Sequence, residues 1–392
     1  MLARNSKSIL RIFTRMMHRK KKCPDPCGPC KVDKVTICGA ASPLGQTLAL
    51  LLKQTDLIRE VHLYDEANLR GVALDLDHID TPVRVRPNSY ELALRDALRQ
   101  ADIVILANGY DTAIKCSDEQ ALQINGPIMY NFAFKVASIC PDAFICIVTP
   151  PINSIVPLFS EVMKRCRVYD PNKIFGVCSL TEMRANTIVA DYLSLDPTML
   201  NVPMIGGMSF RTSVPLFSHA QPFNEFTEDD IHNLTSAILD IPKECQKLKT
   251  SAPLSTAYAT MRFVLTLAAG VCCCDYAKQT AFVRSDVLPQ VKYFASSIKF
   301  GAKGAILNYG LPKLNDYELE MLENAIPALE RDIEQGVLLY EQLCAEQFKE
   351  EIMEALLPKK PFLEKTPCPP CPCLPTEVCQ PRLPEHPCRP AS

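Results

Sequence analysis

Four short apolar runs alternate with helical stretches over the first 150 or so residues, and that alternation constrains the fold more than any other feature. Lys34–Cys38, Val61–Tyr64, Ile103–Ala107 and Phe144–Val148 have buried-strand character. Helical spacing fills the gaps near Leu44–Lys53, Leu69–Ile79, Glu91–Gln100 and Glu119–Ile139. Strands that alternate with helices pair in parallel through right-handed crossovers. The expectation is an α/β fold with a doubly wound parallel sheet.

From about Ser179 the pattern changes to an α+β one. A helix over Leu180–Leu195 leads to a strand at Val202–Ile205, and helices follow at Glu228–Lys249 and Leu254–Ala269. Short strands are expected at Ala281–Val283 and Ala305–Leu307. A last helix, Asp316–Phe348, carries Leu319, Leu322, Ile326, Leu329, Ile333, Val337 and Tyr340 at helical spacing. Pro327 inside it is expected to kink or divide it. The domains are therefore read as residues 33–178 and 179–350, with extensions at 1–32 and 351–392. A 47% hydrophobic chain of 392 residues can bury a sizeable core. A net charge of −2 argues against nucleic acid as a partner. No apolar run reaches transmembrane length, so no membrane partner is expected.

The two ends differ from the rest. Residues 1–22 hold Arg4, Lys7, Arg11, Arg15, Arg19, Lys20, Lys21 and Lys22 and no acid, with Leu2, Ile9, Leu10, Ile12, Phe13, Met16 and Met17 interleaved. That composition resembles a mitochondrial transit peptide; a basic tail without structure, in a cytoplasmic protein, is the alternative. Of the nineteen cysteines, Cys23, Cys27, Cys30, Cys368, Cys371, Cys373, Cys379 and Cys388 lie in proline-rich ends. Proline there excludes helix and central strand. Cys23, Cys27 and Cys30, and likewise Cys368, Cys371 and Cys373, have metal-like spacing, but their proline-rich context argues against a closed zinc site; no metal is assigned, and zinc binding by the ends is the alternative. Cross-linking of neighbouring chains through them is one reading in an oxidising setting, free thiols in a reducing one. The cysteines between Cys38 and Cys344 are read as mostly small buried hydrophobes.

Gly39-Ala40-Ala41-Ser42-Pro43-Leu44-Gly45 follows the first strand and opens a helix, the context in which a glycine-rich motif is informative. Gly39 suits a tight turn, Gly45 a close helix–sheet approach, and the helix start faces a pyrophosphate. Asp65 ends the second strand 20 residues beyond Gly45, placed to accept ribose hydroxyls and to disfavour a 2′-phosphate. NAD is the expected cofactor. Ser42 stands where a middle glycine is usual and crowds the phosphate approach, and Pro43 removes one N–H. A sheet that no longer binds nucleotide is the alternative.

Ordered segments from about Lys34 to Glu341 carry a family resemblance. They include Leu63-Tyr64-Asp65, Gly71–Ile79, Tyr169–Val177, Arg184-Ala185-Asn186, Asn201–Gly207 and Ala257-Tyr258-Ala259. The chain resembles the NAD-dependent malate dehydrogenases of mitochondrial type, within the lactate/malate dehydrogenase family. The resemblance implies that family's fold, a Rossmann domain followed by an α+β C-terminal domain. It implies NAD contacts at Gly39, Ser42, Leu44, Gly45, Asp65, Asn125 and Val148. It also implies a homodimer, or a heterodimer with an active relative, paired through the helices near Leu69–Ile79 and Leu180.

The same resemblance locates replacements at the reacting centre. Met208 stands where the family keeps its catalytic histidine, and Thr181 where an aspartate orients it. Glu182, one residue on, points about 100° away on a helix. Thr112 and Asp118 fall at two of three substrate arginines, and only Arg184 remains. Lys115 is out of register, and Pro150 replaces an asparagine. No catalytic group is intact, so a catalytically impaired NAD-binding protein is expected. A dehydrogenase with altered substrate, and a structural protein cross-linked through its ends, are the alternatives.

Overall fold

In a computed structural model, the structure describes residues 31–109, 116–248 and 252–356. Thr112, Lys115, the basic start and the cysteine-rich ends lie outside the described residues. The apolar alternation of the sequence becomes β1 (Val32–Cys38), α1 (Pro43–Lys53), β2 (Ile58–Asp65), α2 (Arg70–Asp77), β3 (Arg84–Ser89), α3 (Leu94–Leu98) and β4 (Ile103–Leu106). The chain continues with α4 (Asp118–Ile139), β5 (Phe144–Ile147), α5 (Ile152–Arg165), β6 (Ile174–Val177) and α6 (Ser179–Leu193). Then come β7 (Met204–Gly206), β8 (Ser213–Pro215), α7 (Glu228–Leu248) and α8 (Pro253–Val271). β9 (Lys278–Arg284), β10 (Tyr293–Gly301), β11 (Gly304–Asn308) and α9 (Asp316–Leu356) complete it.

Among the described residues, all eleven strands join one sheet in the order β3-β2-β1-β4-β5-β6-β9-β10-β7-β8, with β11 on β10. β3 to β6 run parallel, and β9 then pairs antiparallel with β6. The fully buried runs Ile103–Leu106 and Phe144–Ile147 lie in the parallel centre, as apolar strands covered on both faces must. One face packs under α4, α5 and α9 through Met129, Ala133, Phe159, Leu322 and Leu329. The other packs under α1, α2 and α8 through Leu44, Leu48, Leu76, Phe263 and Val264. The described residues up to Cys344 belong to one compact unit, which ends where the second, Ala345–Ser392, begins.

Several expectations are corrected. β3, β6, β8 and β10 are not among the strands expected from the apolar pattern. β3 is an edge strand with Arg84, Arg86 and Pro87 exposed, so its alternation is weak. α9 runs unbroken through Pro327 and on through residues 351–356, which the sequence reading assigned to the tail. Buried Leu322, Ala325, Ala328 and Leu329 grip the helix on both sides of the proline, so packing outweighs the lost hydrogen bond. α8 does meet the length and apolarity needed to cross a membrane. Most of it is buried against the sheet, with Ala257, Phe263, Val264, Leu267 and Ala268 fully enclosed. Among the described cysteines only Cys38, Cys140, Cys146 and Cys178 are buried, and Cys273 is exposed in the turn after α8.

Gly45 sets how closely α1 approaches the turn after β1. A Cβ there would lie 2.4 Å from the Gly39 carbonyl oxygen and 2.6 Å from Ala40 Cα. Gly45→Ala should cost about 1–3 kcal/mol, the usual penalty of overpacking against backbone. Denaturant unfolding reads this directly, and an unchanged midpoint would contradict the packing described.

Candidate functional site

The sheet reverses its winding between β1 and β4, which are neighbours. In an open α/β sheet the ligand crevice lies outside the carboxyl ends of the strands at that point. Gly39 leaves β1 with φ +89°, and a Cβ there would sit 2.8 Å from Asn108 N. Its N–H donates to the Tyr64 carbonyl at 3.0 Å, tying the turn to β2. The Asp65 carboxylate at the end of β2 accepts the Ala41 N–H at 2.9 Å. Gly39, Ala41 and Asp65 thus form one hydrogen-bonded rim, and Leu44 and Gly45 are buried in the first turn of α1 behind it. A cavity of about 350 Å³ lined by Asn68, Arg70, Pro87, Ser89 and Tyr90 opens beyond Asp65, at the ends of β2 and β3.

Ser42 caps α1. Its hydroxyl accepts the Gly45 N–H at 3.0 Å and donates to the Gly39 carbonyl at 2.8 Å. Its carbonyl takes the Gln46 N–H at 2.9 Å. Pro43 has no N–H to offer. The serine therefore stabilises the helix start while withdrawing donors that an anion at this terminus would use.

Across the crevice, Val148 is buried beyond the end of β5. Asn125 on α4 is fully buried and donates to the Pro150 carbonyl at 2.7 Å. The Pro150–Pro151 bond is cis. Asn125 lies so close to Gly109 that a Cβ on Gly109 would fall 2.0 Å from its Oδ1.

At the start of α6, the Thr181 hydroxyl donates to Met208 Sδ across 3.7 Å. Arg184 is three residues on, on the same side of the helix as Thr181. Met208 is half-buried and packs on the core under α4, α5 and α9. Its N–H donates to Asn153 Oδ1 at 2.8 Å. Asn153, buried in the first turn of α5, uses its Nδ2 to reach Thr212 Oγ1 at 3.1 Å and Asp332 Oδ2 at 2.9 Å. One amide therefore pins the Met208 loop, α5 and α9 together. Burial pushes the Asp332 carboxyl above the usual carboxylate range; neighbouring Asp118 adds to this, against the Asn153 hydrogen bond and the charges of Arg211 and Arg331. Asp118 is exposed in the first turn of α4, where a carboxylate also suits the helix dipole.

Glu182 does not reach this centre. It is buried with its carboxylate hydrogen-bonded by Gln279 Nε2 at 2.9 Å. Burial raises its pKa, opposed by Thr280, Arg262 and Gln279. Three of the described histidines have other partners: His62 meets Glu60 and Asn88, His219 meets Ser218, and His232 packs edge-on to Tyr317. His78 ends α2. Among the described residues no group of three or more His, Cys, Asp or Glu is arranged to hold a metal.

Asn153, Thr212, Asp332 and Asn108 were not singled out by sequence reasoning. Asn153 has a local signal, its place just after the paired prolines. Asp332 has none, because its contact with Asn153 spans 179 residues of chain.

Together these features define a dinucleotide fold with a second, α+β half that carries a polar centre at its junction. Residues 33–176 match the lactate/malate dehydrogenase NAD binding domain, and residues 178–339 the alpha/beta C-terminal domain of the same family. Human mitochondrial malate dehydrogenase is 37% identical over 306 residues, 77% of this chain and 90% of that protein. The rat mitochondrial enzyme is 38% identical over the same share. The chain belongs to the lactate/malate dehydrogenase family. In fold it superimposes on Cryptosporidium parvum malate dehydrogenase with TM-score 0.69 and 21% identity, covering 77% of this chain and 98% of that one. A C. parvum lactate dehydrogenase solved with lactic acid and its dinucleotide gives TM-score 0.68 at 20% identity, covering 79% of this chain and 98% of that one.

Two outcomes follow from the site's geometry. Ser42→Gly should tighten NADH binding severalfold in calorimetric titration, and cost the unliganded chain only a few tenths of a kcal/mol. Equal affinity would show that the hydroxyl does not compete with the ligand. The second concerns Glu182. Its folded pKa is raised, so the folded state holds the proton more tightly than the unfolded one. Stability is then full below the unfolded pKa and falls as pH rises through the folded value. Glu182→Gln should remove that slope, so thermal melting between pH 4 and 8 should show the variant gaining on the parent as pH rises. Parallel melting curves would contradict the assignment.

Proposed function

We propose that this chain is an NAD-binding member of its family in which the malate dehydrogenase reaction is lost or strongly impaired. The contact of the Thr181 hydroxyl with Met208 Sδ at 3.7 Å carries the reading. By resemblance these two positions belong to the aspartate and histidine that move the substrate proton. A thioether has no titratable proton, and a threonine hydroxyl does not ionise near neutral pH, so the pair can neither give nor take one. Loss of one such group costs about 10²–10⁴ in rate.

Substrate holding is reduced as well. Arg184 remains at one arginine position, while Asp118 brings a carboxylate where the resemblance implies a guanidinium, and Asp332 stands close to it. A dicarboxylate is repelled there. Positioning alone can supply roughly 7–11 kcal/mol of a barrier, so this deficit compounds the first. The cofactor residues fit NAD better. Gly39 and Gly45 keep the close backbone approach, Asp65 is placed for ribose hydroxyls, and the capped α1 terminus takes the pyrophosphate with fewer donors. Bound NAD would supply or accept a hydride.

Residues 33–178 are proposed as the cofactor half and 179–350 as the substrate half. Assembly is proposed as a homodimer, or a heterodimer with an active relative, through α2 and α6. Leu74 on α2 is 62% exposed and Tyr192 on α6 52% exposed, apolar surface that a partner would cover. The acid-free basic start and the mitochondrial relatives support a mitochondrial location.

NADH oxidation by the full chain with oxaloacetate is the test. Turnover should fall at least about 10²-fold below an ordinary malate dehydrogenase run beside it. A rate within tenfold of that enzyme would sink the proposal. Met208→His alone should not restore activity, because Thr181 and Asp118 remain.

A further inference from the structure

We propose that Asn108 is a cofactor contact of this chain, its side-chain oxygen accepting a hydrogen bond from an N–H or O–H of a nucleoside part of the bound dinucleotide. The inference rests on the NAD reading above and goes beyond it by adding a residue and a direction of hydrogen bonding.

Asn108 lies just past the carboxyl end of β4, on the strand that pairs with β1 at the point where the sheet reverses its winding. The residue before it, Ala107, donates its N–H to the Cys38 carbonyl at 3.0 Å. Gly39, the first glycine of the turn, packs directly on Asn108: a Cβ on Gly39 would be 2.8 Å from Asn108 N. The residue therefore sits on the floor of the crevice that such sheets use for ligands.

Its groups are unequally satisfied. The Asn108 carbonyl accepts the Thr149 hydroxyl at 2.9 Å. The side-chain Oδ1 is shielded from solvent and has no hydrogen-bond partner among the described residues. A buried amide oxygen without a donor is costly, and native chains keep few of them. Asn125 Oδ1 is also without a partner, but the Gly109 α-carbon lies against it, since a Cβ there would be 2.0 Å away. Asn108 is thus the acceptor for which a ligand donor is the natural partner.

The chemistry of that donor is restricted. A pyrophosphate offers acceptors only. The donors of the dinucleotide are the ribose hydroxyls and the amide and amine N–H groups of its bases. The Asn108 oxygen therefore reads a nucleoside portion, while Ser42 and the α1 terminus meet the phosphates.

The test is calorimetric titration of the full chain and of Asn108→Leu with NADH and with ADP-ribose, alongside thermal melting of each unliganded protein. Leucine keeps the size and removes the acceptor. NADH affinity should fall about tenfold, and the unliganded melting temperature should hold or rise, since an unpaired acceptor has gone. That opposed pair of effects separates ligand recognition from a merely structural role, which would lower both. A matching loss for ADP-ribose identifies a ribose or adenine donor, and a loss confined to NADH identifies the nicotinamide carboxamide. Should Asn108→Leu not fold, Asn108→Ala removes the same acceptor. Unchanged affinity for both ligands overturns the inference and leaves the NAD reading standing. Absence of binding by the parent chain overturns both.

Discussion

The close approach of backbone to backbone at Gly39 and Gly45 is the constraint on which the rest of the structure depends. β1 must leave the sheet at a positive φ with Asn108 N against its turn, and α1 must start within contact of that turn. No side chain fits at either place. Once both glycines are present, β1 can lie between β2 and β4, the sheet can wind both ways from that pair, and the crevice opens where the winding reverses. The Asp65 carboxylate then closes the rim through the Ala41 N–H. Fold and cofactor geometry share this single local requirement, which is why they persist together.

The reacting centre depends on a different node. Asn153 ties the Met208 N–H, Thr212 and Asp332 together with one amide. None of those bonds involves the side chain at 208. The loop that carries Met208 is therefore held in place whether that side chain titrates or not, and Met208 itself packs as an apolar residue on the core. A fold can keep its shape while its chemistry changes because the two are supported by different atoms. The proposed loss of the malate reaction needs no distortion of the frame.

Much of this was legible in the sequence, for definite reasons. Fully buried parallel strands read as continuous apolar runs, so Ile103–Leu106 and Phe144–Ile147 stand out. Gly39, Gly45 and Asp65 were legible because their spacing follows from one strand–turn–helix unit. β3 and β10 were not, because an edge strand bearing Arg84 and Arg86, and a strand alternating Ser297 and Lys299 with apolar residues, carry weaker periodicity. Pro327 suggested a break that buried contacts on both sides of it prevent. Asp332 and Asn108 matter through partners remote in the chain, and no local pattern marks such residues. Helix geometry turns Glu182 away from the centre, and its carboxylate accepts from Gln279 instead.

A dinucleotide bound in this crevice is proposed to find no proton partner at Met208 and Thr181. Fluorescence of NADH on the full chain, recorded before and after oxaloacetate is added, tests it in one trace. A bound-NADH signal should rise with protein and stay constant after oxaloacetate. Prompt decay of that signal on addition of oxaloacetate, or no bound signal at all, would contradict it.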